Sequence, residues 1–358
     1  MNKLRPHLAA VGLLSVILCG CTEKEKPGPP PITPPHPASM ETPVKIGYVL
    51  HGLNDFTQVI KRGAEDAGKA LNADVEVAGP AGFVATDAIA MFEGMVQKKK
   101  DGLAVIPMPG ALWVRPIKTA VDAKFPVVTA NITSPGSEAE AWFGQDEYRS
   151  GVTLARELRK ILEADGKTSG KILVGLCKPG EDVLDKRYQG FKKGMEGTKY
   201  TITAPFDAKT ENTENYGEWE NHVSANKDIV AAVGLCSMDI PNMAKVKKRA
   251  GGKWAVAGYD LNIETLDAIK AGLAQLTLGQ HPYLQGYLPV KALVEHLRDK
   301  KPLVKGWVDV GTEVVTKANV DSVYERESVR SSETKWYADD IATRFPDLSA
   351  AAKPMPGK

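Results

Sequence analysis

Val44-Lys45-Ile46-Gly47-Tyr48-Val49-Leu50, followed after a short polar loop by the segment from Phe56 to Leu71, decides how this chain folds. The first run is nearly continuous in apolar residues, as a strand buried on both faces requires. The second places its apolar residues at helical spacing. Outward from this pair the alternation repeats. Asp74 to Ala78 reads as a strand, Ala85 to Lys98 as a helix, and Gly102 to Ile106 as a strand. Leu112 to Ala123 is helical again, and Val127 to Asn131 closes the series. Short buried strands alternating with amphipathic helices predict a doubly wound parallel sheet.

A second series of similar size begins beyond Gly144. Tyr148 to Leu162 reads as a long helix, Lys171 to Leu176 as a strand, and the next helix runs through Gly190-Phe191. Tyr200 to Phe206, Ile229 to Leu235, Trp254 to Tyr259 and Leu276 to Gly279 supply further strands. Helices are predicted near Pro241 to Arg249, Asn262 to Ala271 and Tyr283 to Arg298. The fold class expected is therefore α/β, with two doubly wound, Rossmann-like lobes. They are joined by three strands crossing near Gln145-Asp146, His281-Pro282 and Asp309-Val310. Residues 44–146 and 282–309 would form the first lobe, 147–281 and 310–345 the second, and 346–358 a mobile tail.

The composition is that of an ordinary globular protein: 358 residues, 43% hydrophobic and 25% charged, a length that suits two domains. A net charge of +2 gives no basic face for nucleic acid. Lys3 and Arg5 precede an apolar stretch from Leu8 to Leu18 that is too short to span a bilayer, so residues 1–20 read as a signal peptide. Its end, Leu18-Cys19-Gly20-Cys21, resembles the lipobox of bacterial lipoproteins, which implies cleavage before Cys21 and lipidation of its thiol. Eight prolines between residues 22 and 43 make residues 21–43 an extended tether. Cys177 and Cys236 each follow a buried strand. In an oxidising compartment they could pair, but adjacent parallel strands offer awkward disulfide geometry, so two buried thiols are the favoured reading and a bond the open alternative.

Open α/β sheets bind ligands beyond the carboxyl ends of their strands. Polar and aromatic residues gather at those positions: His51 and Asn54-Asp55-Phe56, then Asn131, Phe206-Asp207, Cys236-Ser237-Met238-Asp239, Tyr259-Asp260 and Gln280-His281. Planar amides and carboxylates suit sugar hydroxyls, and aromatic rings suit C–H faces. Each residue alone also fits a helix cap or a turn. Arg187 equally fits a helix surface paired with Asp185 or Glu181, and Gln280 a hinge with no ligand contact.

Arg187-Tyr188-Gln189-Gly190-Phe191, Val256-Ala257-Gly258-Tyr259-Asp260 and Gln280-His281-Pro282 stand in the order and spacing of a known family. Together with Ile46-Gly47-Tyr48-Val49, Leu53-Asn54-Asp55-Phe56 and Phe125-Pro126-Val127-Val128-Thr129, they make the chain similar to the type I periplasmic binding proteins, specifically the ribose-binding-protein-like sugar receptors. The likeness covers about Val44 to Lys317. It implies ligand contacts from Asn54, Asp55, Phe56 and His51 in the first lobe, with Asn131 where the family often has Asp. From the second lobe it implies Arg187, Phe206, Tyr259, Asp260 and Gln280, with Ser237-Met238 replacing an Asn-Asp pair.

The implied function is capture of a small sugar or polyol between the lobes and delivery to an ABC-type permease in the membrane. The alternative is a sensor reporting a sugar or an autoinducer-type furanose to a membrane receptor. A monomer, lipid-anchored in the periplasm or at the cell surface, is expected. No cofactor or metal is expected: the chain lacks a Walker motif, a Gly-x-Ser-x-Gly elbow and a dinucleotide Gly-rich turn, and its six histidines show no metal spacing. An enzyme is not expected. A sugar-responsive transcription factor would need a helix-turn-helix before the first lobe, where the signal and tether stand.

Overall fold

A computed structural model describes residues 42–356. The signal segment 1–20, Cys21 and the tether as far as residue 41 lie outside the described residues. The first lobe opens with β1 (Val44–Val49), α1 (Asp55–Ala70), β2 (Ala73–Ala78), α2 (Ala85–Gln97), β3 (Gly102–Val105), α3 (Val114–Asp122), β4 (Val127–Ala130) and β5 (Ala141–Gly144). The second lobe follows with α4 (Glu147–Ala164), β6 (Ser169–Leu176), α5 (Asp182–Gly194), β7 (Lys199–Ile202) and β8 (Phe206–Asp207). It continues through α6 (Asn212–Ala225), β9 (Ile229–Gly234), α7 (Asp239–Ala250), β10 (Ala255–Tyr259), α8 (Ile263–Lys270) and β11 (Leu276–Gly279). The chain then runs through α9 (Pro282–Leu297), β12 (Gly306–Asp309), β13 (Glu313–Thr316), α10 (Val320–Ser328), α11 (Arg330–Arg344), α12 (Leu348–Ala351) and β14 (Ala352–Lys353).

The first sheet has the order β14-β12-β5-β4-β3-β1-β2, and the second β13-β11-β10-β9-β6-β7, with β8 also paired to β6. Only the edge strands β14 and β13 are antiparallel to their neighbours. With the short β8 left aside, the first five strands of each lobe lie in the order 2-1-3-4-5, so the winding reverses between β1 and β3 and again between β6 and β9. Such switch points are where doubly wound sheets bind ligands.

The strands are apolar throughout because both faces of each sheet are covered. In β1 and β3, Ile46, Tyr48 and Ala104 face one core with α1 and α9, while Val49, Leu103 and Val105 face another with α2 and α3. In the second sheet Ile172 and Val174 pack under α4 and α5, whereas Leu173, Ala232 and Val256 pack under α6 to α8.

The three expected crossings are all present, and the chain makes a fourth at Val329, between α10 and α11. This corrects the boundary expected for residues 310–345. Helix α10 stays with the second lobe, where Val320 and Val323 are buried. Helix α11 returns to the first, where Tyr337, Ile341 and Phe345 join Leu348 in its core. The segment expected as a mobile tail is likewise anchored within its described part, because Val308 and Trp307 of β12 pair with Ala352 and Lys353, while residues 357 and 358 lie outside the described residues.

Of the two readings open for the cysteines, the bonded one holds rather than the favoured pair of thiols. Cys177 and Cys236 form a disulfide, with Cα atoms 6.1 Å apart. Both lie two residues beyond Gly175 and Gly234, the last pair of the β6–β9 ladder, so the pleat of adjacent strands no longer fixes their side chains.

Tyr337 is fully buried, stacked on Tyr283 at 4.4 Å, and its hydroxyl has no partner among the described residues. Removing an unsatisfied buried hydroxyl costs nothing, whereas removing the ring opens a cavity. Tyr337→Phe should keep or raise stability in urea denaturation, and Tyr337→Ala should lower it by about 3–5 kcal/mol.

Candidate functional site

A cavity of about 80 Å³ lies between the two switch points. His51, Asn54, Phe56, Phe83, Met108 and Asn131 line it from the first lobe. Glu181, Arg187, Ser237, Asp260, Gln280 and the Cys177–Cys236 bridge line it from the second and its crossing strand. Val183 of α5 packs against the cores of both lobes, so the lobes touch across the cleft.

Arg187 organises the second-lobe side. Helices α4 and α5 cross at Gly151 and Gly190, where a Cβ would come within 2.1 Å of Arg187 O and 2.0 Å of Tyr148 O respectively. Only glycine permits that approach, and it brings the side chain of Arg187 against Glu147 at the start of α4. The pair is bidentate, with Nε to Oε2 at 2.6 Å and Nη2 to Oε1 at 3.1 Å, and both residues are buried. Arg187 Nη1 also donates to the carbonyl of Leu235 at 2.8 Å, and Nη2 to Gln280 Oε1 at 3.1 Å. Four of the five guanidinium N–H groups therefore have protein acceptors. The guanidinium lies over the ring of Tyr259 at 4.2 Å, and the Tyr259 hydroxyl meets Ser150 Oγ at 3.0 Å.

Gln280 joins the lobes. Its Oε1 also accepts from Asn131 Nδ2 at 3.2 Å, and its Nε2 donates to Asp260 Oδ1 at 2.8 Å. From Glu147 the network runs into the hinge, since Gln145 Nε2 donates to Glu147 Oε2 at 3.0 Å and Thr312 Oγ1 donates to Gln145 Oε1 at 2.7 Å. Asn131 and Asp260 both end strands in the left-handed region, at φ of 58° and 76°. Asn and Asp tolerate that conformation better than other side-chain-bearing residues. It turns each side chain off its strand end, and the Asp260 turn is fixed by Thr277 Oγ1 donating to Asp260 O.

Burial sets the protonation of the wall. Asp260 is pushed up to about 6 by desolvation, against the opposing pull of Arg187 and the Gln280 amide. Burial, helped by the charge of Lys178, lowers His51 to about 4, so the imidazole is neutral at pH 7. Its Nδ1 is buried with no partner among the described residues.

The structure brings His51, Asn54, Phe56, Asn131, Arg187, Ser237, Asp260 and Gln280 together on the cavity wall. Asn54 is also a helix cap, accepting from Thr57 N at 2.9 Å. Three expected contacts do not line the cavity. Asp55 is exposed in the first turn of α1. Phe206 stacks on His222 at 3.7 Å and meets Trp219 edge-on, because the chain breaks at Ala204-Pro205 and turns the ring toward α6. Tyr259 lies beneath Arg187 with its ring fully buried. Arg187 pairs with neither Asp185 nor Glu181. Its partner Glu147 was not foreseen, although an acidic residue opening a helix is ordinary dipole compensation and gives no further signal.

Among known proteins, residues 46–301 match the family model described as a periplasmic binding protein domain. The xylose/arabinose-binding protein of Sulfolobus acidocaldarius is 23% identical, over 81% of this chain and 76% of that protein. The ribose import binding protein of Bacillus subtilis is 23% identical, over 76% of this chain and 88% of that one. In fold, the chain is similar to a carbohydrate transporter solute binding protein from Agrobacterium radiobacter solved with D-arabinose. That likeness has a TM-score of 0.74 at 23% identity and covers 80% of this chain and 99% of the other.

The buried pair makes a clear demand on mutants. Arg187→Met leaves the Glu147 carboxylate buried without its cation and should cost about 3–5 kcal/mol in chemical denaturation of the ligand-free protein. Replacing both residues, Arg187→Met with Glu147→Leu, should recover most of that loss, since an apolar pair of similar volume carries no desolvation penalty.

Proposed function

The chain belongs to the periplasmic binding protein domain family, and on that premise we propose that it captures a small sugar in its interlobe cavity and delivers it to an ABC-type permease. The family is one of binding proteins rather than enzymes. The observation that carries the reading is the Asn131–Gln280–Asp260 cluster with Arg187, in which planar polar groups from both lobes meet in one cavity. At about 10–15 Å³ per water, the cavity has room for about five to eight water molecules. That is the scale of a monosaccharide's hydroxyls.

In the described state the polar groups satisfy one another across the cleft. A sugar hydroxyl both donates and accepts, so it can stand between Asn131 and Gln280 or between Gln280 and Asp260 and keep each group paired. The apolar wall of Phe56, Phe83 and Met108 suits the C–H face of the ring. A ligand that touches both lobes binds the closed state better than the open one and therefore shifts the hinge toward closure. Affinity in the micromolar range, about −8 kcal/mol, suffices for a receptor that must also release its cargo.

The anchor belongs to the same reading. A signal peptide ending at Gly20, lipidation of Cys21 and a proline-rich tether would hold a monomeric receptor near the membrane, on its extracytoplasmic side. The disulfide at the second-lobe switch point suits an oxidising compartment. Relatives named for xylose, arabinose and ribose make pentoses the first class to test.

Titration calorimetry of residues 43–358 against pentoses, hexoses and polyols tests the reading, and binding of none of them would defeat it. For the sugar that binds, affinity should fall as pH drops through about 6, because a protonated Asp260 loses acceptor capacity. Ligand-free stability should move the other way. A carboxyl raised in the folded state favours folding below its unfolded value near 4, and that advantage is lost as pH rises through about 6. Asp260→Asn should weaken binding roughly 10–100-fold at pH 7.5 and reduce both pH dependences, while buried Asp239, also pushed up to about 6, keeps its own share of the stability dependence.

A further inference from the structure

Two groups on the cavity wall stand outside the network built on Arg187. Glu181, the residue before α5, is 3% exposed and yet does not cap its helix. Its carboxylate has no hydrogen bond and no ion pair among the described residues, although it lines the cavity. His51, from the loop after β1, lines the same cavity with its ring edge-on to Phe83 at 5.2 Å and its buried Nδ1 unpartnered. Both groups line the one cavity, and the charge of Lys178 acts on each. Asp182 and Asp185 are the other charges facing Glu181, and both oppose its ionisation.

Buried polar atoms in folded proteins nearly always find a partner, and the buried Nδ1 of His51 has none, whereas the Glu181 carboxylate makes no hydrogen bond but is not sealed from solvent. Here the space in front of these atoms is the ligand cavity itself. We propose that Glu181 and His51 form a second polar pole of the sugar cavity, one that takes hydroxyl hydrogens of the ligand and selects uncharged polyols against phosphate- or carboxylate-bearing ones. The charge argument is simple. Arg187 is neutralised by Glu147 and Lys178 offsets one of the carboxylates Asp260 and Glu181, so the wall carries no cation to spare for an anionic ligand and keeps one negative charge to oppose it. His51, neutral in this setting, offers one donor and one acceptor nitrogen and adds no cation for an anion to pair with. The inference rests on the sugar-binding reading and adds the chemical class of the sugar.

The test is calorimetry on wild type, Glu181→Gln and His51→Phe. The probes are D-xylose, D-ribose, L-arabinose, D-glucose and D-galactose, with D-ribose 5-phosphate and D-glucose 6-phosphate as anionic counterparts. Wild type should bind a neutral sugar and bind the phosphorylated ones at least about 100-fold more weakly. Glu181→Gln should weaken the neutral sugar about 10–100-fold and narrow the gap to the phosphates, while its ligand-free melting temperature stays level or rises. His51→Phe should weaken the same sugar with the fold intact. Unchanged affinity in Glu181→Gln, phosphates bound as well as neutral sugars, or a lowered ligand-free melting temperature in Glu181→Gln each overturns the second pole and leaves the sugar-binding reading standing. Binding of no sugar by wild type overturns both.

Discussion

The buried pairing of Arg187 with Glu147 is the constraint on which the rest of the molecule depends. Two charges at 5% and 3% side-chain exposure survive only because four of the five guanidinium N–H groups and one of its faces are occupied, by carboxylate, backbone carbonyl, amide and aromatic ring. To meet that requirement α4 and α5 must approach closely enough to need glycine at Gly151 and Gly190. Gln145 must turn inward at the first crossing, and Gln280 must sit at the end of β11. The same contacts that stabilise the charge therefore fix the hinge and one wall of the cavity. Fold and binding surface share a single set of hydrogen bonds.

Much of the architecture was legible from periodicity. Buried parallel strands such as Gly102–Val105 and Val127–Ala130 are short apolar runs because helices cover both faces, and that signature is local in sequence. What could not be read was which lobe a late helix joins. The helix Arg330–Arg344 is amphipathic in either environment, and its return to the first lobe depends on the stack of Tyr337 upon Tyr283, more than fifty residues away. The cysteine bridge was hidden for a similar reason. It is set by where two ladders end, and single-strand patterns do not show that.

The site was legible where a side chain's role follows from its place at a strand end. Asn131, Asp260 and Gln280 follow β4, β10 and β11 directly, so the general rule for doubly wound sheets locates them. The rule fails where a residue at such a position has a better apolar or ionic neighbour. Phe206 finds Trp219 and His222, and Tyr259 finds Arg187 and Ser150, so both rings are drawn away from the cavity. Glu147 and Glu181 were invisible as site residues because acids that open helices are common and ordinarily solvated. Only the close packing of α4 on α5 within the second lobe buries Glu147, and only the cavity wall brings Glu181 into the site.

The bridge between Cys177 and Cys236 closes a covalent ring around α5, β7, β8, α6 and β9, its ends 59 residues apart in sequence. In the chain-entropy description a ring of that size lowers the entropy of the unfolded chain enough to favour folding by about 4 kcal/mol. The bond holds only where thiols are oxidised, so in a reducing medium the second lobe lacks that contribution while the first, with no cross-link among the described residues, keeps all of its own. The redox state of the surroundings thus sets how evenly stability is shared between the two lobes.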